Sequence, residues 1–200
     1  MNRKTILTYL TIFFLLFIFL IYSGCNTPEQ KKEMTQEELI ERGKYLIETT
    51  GCHDCHTPKT FGPEGMKLDE TKLLSGHPEG FQLYEIDMNM VGPGKWVLAN
   101  DHLTAWVGAW GISYSSNLTP DNATGLGTVS EEMFIKTLRE GKIKGVGRQI
   151  LPPMPYEIFG KMTDDDLKAM YIYLHSVPAV SNKIPEPVPP PMVAELFGKK

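Results

Sequence analysis

Residues 52–56 read Cys-His-Asp-Cys-His, two cysteines three apart with a histidine directly behind the second. On a helical turn this spacing presents both sulfurs along one edge and drops the imidazole of His56 beside them. Two thiols and an imidazole so placed can clasp a metal ion, exchange thiols or carry a covalent group. A structural zinc site needs four ligands, usually from a second close Cys or His pair. No such pair follows, since the only other cysteine is Cys25 and the later histidines, His77, His102 and His175, are scattered. A redox Cys-x-x-Cys expects a surrounding βαβ pattern. Here the motif instead follows an amphipathic helical stretch.

The chain begins as exported proteins do. Arg3 and Lys4 precede an uncharged apolar run from Ile6 to Tyr22, and small residues lead to Cys25. "IYSGC" resembles a bacterial lipobox, with Tyr22 where leucine is usual, and makes Cys25 the expected lipidation site. An uncleaved helical anchor and simple secretion are the alternatives, because the run falls slightly short of the about 20 residues that span a bilayer. The expected organisation is a signal or anchor over 1–24, a polar tether over 25–34, a folded domain over 35–182 and a proline-rich tail over 183–200. Without Arg3 and Lys4, 18 basic residues face 24 acidic ones, and the net charge moves from −4 to −6. An acidic domain argues against nucleic acid as a partner.

Three helices are legible after the tether. Thr35 and Glu38 form a capping box, and Leu39, Ile40, Gly43, Leu46 and Ile47 make one face leading to Cys52. Gly43 costs about 1 kcal/mol relative to alanine in a helix, which a close crossing by another helix explains. Ser130 caps a helix with Phe134, Ile135 and Leu138 on one face and Gly141 as its stop. Thr163 caps a third, with Leu167, Met170, Tyr171 and Leu174 as its stripe and Pro178 beyond it. The segment from about 58 to 128 is rich in glycine and proline, and only "FQLYEIDMNMV" suggests a short strand pair.

Export and the preceding helix favour a covalent group. A c-type haem is fastened by two cysteine sulfurs, with the following histidine as an axial ligand. Cys52 and Cys55 are the expected attachment points, His56 the ligand and His53 a bystander. One such motif means one haem c. Among ten methionines, Met154 in "ILPPMPY" is the candidate for the other axial position. Pro152, Pro153 and Pro155 fix φ around it, so the sulfur is presented at little ordering cost. His102 is the strongest rival. His77 reads as a turn residue and His175 as solvent-facing.

In this order the motifs resemble class I c-type cytochromes, and more closely the bacterial cytochrome c domains of alcohol and aldehyde dehydrogenase cytochrome subunits. "RGKYLIETTGCHDCHTPK" is similar to their haem-binding segment, "LSGHPEG" to a glycine-rich turn, and "YSSNLTPDNATGLGTVSEEMFIKTLREG" to their central segment. "GRQILPPMPYEIFGKMTDDDLKAMYIYLHSVP" is similar to their methionine loop and final helix. The resemblance covers residues 40–182. It implies an all-α, class I cytochrome c fold around one haem, with an expanded irregular middle segment. It also implies that the first and last domain helices cross, with Gly43 near Tyr171 or Leu174, and it supports Met154. By position beside these motifs, Arg148 and Asn117 are candidates to contact a haem propionate or brace its loop. Trp96, Trp106 and Trp110 are expected in the core, and "NLTPDNATG" reads as a turn or a calcium loop.

The function implied is single-electron transfer at a membrane surface, on the periplasmic side. The electron comes from a dehydrogenase or quinol-oxidising complex and goes to an oxidase or another cytochrome, with no substrate bound. Lys142, Lys144 and Arg148 stand close enough in sequence to form a basic rim for such partners. The competing class is a haem peroxidase or gas-binding sensor with a labile sixth ligand.

Overall fold

The computed structural model describes residues 2–23 and 33–197 of the 200-residue chain. The chain divides into two compact units, 1–33 and 34–200. Among its described residues the first holds one helix, α1 (Arg3–Ser23). Among the described residues, no helix is long and apolar enough to cross a membrane. Cys25 and most of the 25–34 tether lie outside the described residues.

In the second unit, α2 (Gln36–Thr49) starts where the sequence places it. Thr35 Oγ1 accepts from the Glu38 N–H at 3.2 Å, and the Glu38 carboxylate accepts from the Thr35 N–H at 2.7 Å. Leu39, Gly43, Leu46 and Ile47 are its buried face. A short helix, α3 (Cys52–His56), follows at once. Downstream lie α4 (Glu131–Glu140), capped by Ser130 and stopped by Gly141 at φ 66°, α5 (Tyr156–Phe159) and α6 (Asp164–Ser176), capped by Thr163.

The α2 and α6 helices cross at Gly43. A Cβ there would overlap the Ala169 carbonyl oxygen and come within 2.6 Å of Tyr173 Cβ. The crossing point is thus Ala169 and Tyr173, one or two residues away from the expected Tyr171 and Leu174. Tyr171 turns instead towards α4, where its hydroxyl donates to the Val129 carbonyl at 3.1 Å. Arg42 clips the same crossing to Asp166 at 2.8 Å. Ile47, Leu167 and Leu174 are fully buried in the resulting core. Each such side chain stabilises the fold by about 1.5–3 kcal/mol.

The all-α expectation is overturned by two antiparallel sheets. A hairpin joins β1 (Lys59–Gly62) to β2 (Gly65–Leu68), and a three-stranded sheet runs in the order β3 (Leu98–Ala99), β4 (Ala105–Gly108), β5 (Gly111–Tyr114). The architecture is therefore helices with two small sheets, and not the all-α, class I cytochrome c fold expected. The physical reason lies in the middle segment. Its apolar residues come in runs of two to four with β-branched members and glycine breaks, too short to set a helical period.

"FQLYEIDMNMV" forms no strand pair; Met88–Met90 is a single 3-10 turn. A second apolar cluster of Val91, Val107, Ile112 and Val193 packs under β4 and β5. The proline-rich stretch contributes to it: Val188 pairs with Ile112 through two backbone hydrogen bonds of 2.8 and 3.0 Å, and α7 (Pro190–Phe197) buries Val193. The three tryptophans do not form the core expected of them. Trp96 is 68% exposed, and Trp106 and Trp110 are half-buried.

Candidate metal centre

Gly51, at φ 74°, turns the chain from α2 into α3. This left-handed conformation is open to glycine at little cost. Cys52 and Cys55 are both free thiols, the first buried and the second half-buried. Burial pushes both thiols above the ordinary range, against a weaker opposing hydrogen bond from Thr50 at Cys52. A thiol-exchange site needs the opposite, a thiol pushed down to favour its thiolate. Among the described residues, no group of three or more His, Cys, Asp or Glu side chains is gathered to hold a metal ion. The structure thus supplies no four-ligand zinc cage around this turn.

His56 is 8% exposed, and its Nδ1 lies 2.8 Å from the carbonyl oxygen of Ser116. A carbonyl only accepts, so Nδ1 carries the proton and Nε2 is left with its lone pair. This arrangement is typical of a metal-bound imidazole, whose second nitrogen is fixed by a hydrogen bond to a carbonyl. Burial also pushes His56 below the ordinary histidine range, which keeps the ring neutral.

The chain around His56 is held from several directions. The His56 carbonyl accepts from the Gly76 N–H at 2.7 Å, the His77 N–H donates to Ser115 at 3.0 Å, and Leu118 donates to Leu74 at 2.8 Å. Thr57 Oγ1 accepts from the Leu74 N–H at 2.9 Å, and His53 Nδ1 shares a 2.9 Å hydrogen bond with the same hydroxyl. Asn182 Nδ2 donates to the carbonyls of Ser75 and His77, at 2.6 and 2.8 Å, while its Oδ1 accepts from the Glu79 N–H. Sequence reasoning missed Ser116 and Asn182. Ser116 acts through a backbone carbonyl, which any residue possesses, and Asn182 lies 103 to 107 positions from the residues it ties at the "SGHPEG" turn.

Met154 is half-buried and packs against the same core cluster that contains Cys52. Its loop is tied down by Ser113, whose hydroxyl donates to the Pro152 carbonyl at 2.5 Å, and by the Tyr156 N–H, which donates to the Met154 carbonyl at 2.9 Å. Arg148 is exposed, with Nη1 donating to the neighbouring Gln149 carbonyl at 3.2 Å. Asn117 is buried and braces its loop: Nδ2 donates to Thr124 and to the Val180 carbonyl, and Oδ1 accepts from the N–H and hydroxyl of Thr119. In "NLTPDNATG", one Asp121 oxygen accepts from Ala123 and Thr124 N–H groups and from the Thr124 hydroxyl, which makes the stretch a turn.

Two of the three rival histidines are otherwise engaged. His102 Nδ1 accepts from the Lys59 N–H at 2.9 Å, so its proton sits on Nε2 and no lone pair is left over. Both nitrogens of His175 face carbonyl oxygens, of Tyr171 and Leu126, and the residue is half-buried where solvent exposure was expected. His77, expected as a turn residue, lies in a bend and is fully buried against Phe81 and Tyr114. Its Nδ1 shares a hydrogen bond with Thr104 while Nε2 has no partner. The His77 N–H donates to the carbonyl of Ser115, the residue before the one whose carbonyl holds His56.

No protein-family model matches the chain. It is similar to the cytochrome c subunit of a quinone-dependent alcohol dehydrogenase from Gluconobacter oxydans, at 32% identity over 153 residues, 75% of this chain and 24% of that protein. It is similar to the fructose dehydrogenase cytochrome subunit of Gluconobacter japonicus, at 31% identity over 78% of this chain and 25% of the relative. The gluconate 2-dehydrogenase cytochrome c subunit of Pantoea cypripedii is 29% identical over 74% of this chain and 26% of its own length. The chain spans about a quarter of the length of these relatives.

Proposed function

We propose that this chain, similar over about three quarters of its length to cytochrome c subunits of dehydrogenases, is an electron carrier holding one haem c. The observation that carries the reading is the Cys52–His56 turn with Nδ1 of His56 bonded to Ser116, which leaves Nε2 ready for iron. Cys52 and Cys55 would hold the haem edge as thioethers, His56 would ligate from one side and Met154 from the other. Bound there, the haem supplies one-electron exchange between ferric and ferrous iron.

The chain's own residues do the rest. Ser116 fixes the imidazole plane, Gly76 lets that carbonyl approach, and the Met154 loop would shield the bound haem from water. Asn117 braces the loop before α4, and Arg148, exposed at the start of the methionine loop, would meet a propionate or a partner. With His56 and Met154 both holding the iron, no position would be left for a substrate, and the protein would relay electrons without acting as an enzyme. The electron donor is a dehydrogenase or a quinol-oxidising complex, by analogy with the relatives' names, and the acceptor is an oxidase or another cytochrome. Lipidation at Cys25 tethers the domain on the periplasmic side of a membrane.

The test is covalent haem in the full-length protein, produced in a bacterium that matures c-type haem. Haem colour is expected to survive denaturing electrophoresis and to disappear in the Cys52→Ala, Cys55→Ala double variant. Wild-type protein without covalent haem overturns the reading. Fast carbon monoxide binding by the reduced protein assigns it to the sensor or peroxidase class instead.

A further inference from the structure

Lys59 stands three residues after His56, yet its side chain is turned back under α3 and the residue is only 6% exposed. Its Nζ donates to the carbonyls of Asp54 at 2.8 Å, Thr57 at 2.5 Å and His53 at 3.4 Å. An ammonium has three N–H groups, and three carbonyls receive them. Among the described residues, no carboxylate forms an ion pair with Lys59. The backbone is fixed as well: Lys59 opens β1 opposite Leu68, and its N–H is held by His102.

We propose that Lys59 supplies a fixed positive charge to the iron centre and raises its reduction potential, an inference that rests on the haem reading above. Carbonyl dipoles solvate the ammonium without cancelling its charge. An exposed lysine is screened by water and salt within about 8–10 Å, whereas a buried one acts through a medium of lower dielectric. Two of the three carbonyls belong to the turn that carries Cys52, Cys55 and His56, so the charge lies within a helical turn of the haem's anchors. Ferrous haem bears one positive charge fewer than ferric haem, and a cation at this place favours the reduced state. Lys59 is therefore a positioning residue with an electrostatic role. A plain cap on α3 would affect stability alone.

The experiment compares reduction potentials of the full-length wild type, Lys59→Gln, Lys59→Met and Lys72→Gln. Lys59→Gln keeps hydrogen-bond donors and loses the charge; Lys59→Met keeps the stem and loses both. Lys72→Gln removes the same charge from an exposed site. A downward shift is expected in both Lys59 variants, larger than in Lys72→Gln and retained at high salt, with the low-spin ferric spectrum unchanged. A potential equal to wild type in a haem-loaded Lys59 variant overturns the proposal. Loss of haem from both Lys59 variants marks the residue as a structural cap and overturns it equally. Absence of haem from the wild type overturns the haem reading instead, so the two failures are distinguishable.

Discussion

A Cβ on Gly76 would stand 2.6 Å from the carbonyl oxygen of Ser116, the oxygen that accepts the Nδ1–H of His56. Gly76 also has φ 81° and donates its own N–H to the His56 carbonyl. Gly76→Ala must therefore move the segment that orients the imidazole. The expected cost is about 1–3 kcal/mol, read from the denaturant midpoint, with a broadened or mixed-spin ferric spectrum. An unchanged spectrum at unchanged stability removes Gly76 from the site.

Met154 and His102 make opposite predictions for the sixth ligand. Met154→Ala is expected to abolish the weak sulfur-to-iron band near the red end of the ferric spectrum and to lower the potential. His102→Ala is expected to keep the band, because His102 is spent on the Lys59 N–H. The reverse pattern assigns the ligand to His102.

The α2–α6 crossing has no room at Gly43. Gly43→Ala forces a methyl group against the Ala169 carbonyl and Tyr173. Overpacking of this kind costs about 1–3 kcal/mol and outweighs the roughly 1 kcal/mol gained in helix propensity. Chemical denaturation is expected to show net destabilisation.

His77 makes stability fall in acid. Burial, with the nearby His102 adding to it, lowers the pKa of His77 from 6.5 to about 4. Between those values the unfolded chain binds the proton and the folded chain does not. The group's contribution is thus intact above pH 6.5, lost progressively as pH falls towards about 4, and constant below that. In denaturation at pH 7 and pH 5, His77→Phe is expected to lose less stability than wild type. Equal losses contradict this placement of His77.

Cys25 is tested by fractionation. Cys25→Ser is expected to move the protein from the membrane to the soluble periplasmic fraction if the anchor is lipid. Retention in the membrane favours an uncleaved helix.

What could be read from the sequence was local. The capping box at Thr35, the cap at Thr163, the stop at Gly141 and the Cys52–His56 turn are written in residues within a few positions of one another. The sheets were not legible, because β5 is completed by Val188 and the second cluster by Val193, both from the proline-rich stretch. The burial of His77 was not legible for a related reason. Gly76 and Pro78 look like a surface turn, and only Thr104, Phe81 and Tyr114 make the place a buried one.

Potentiometric titration of the visible spectrum of the full-length protein tests the central claim most directly. The expected result is a single reversible one-electron step between low-spin ferric and low-spin ferrous haem. A protein with no redox-active visible band, or one whose ferric form is high-spin with an open axial position, contradicts it.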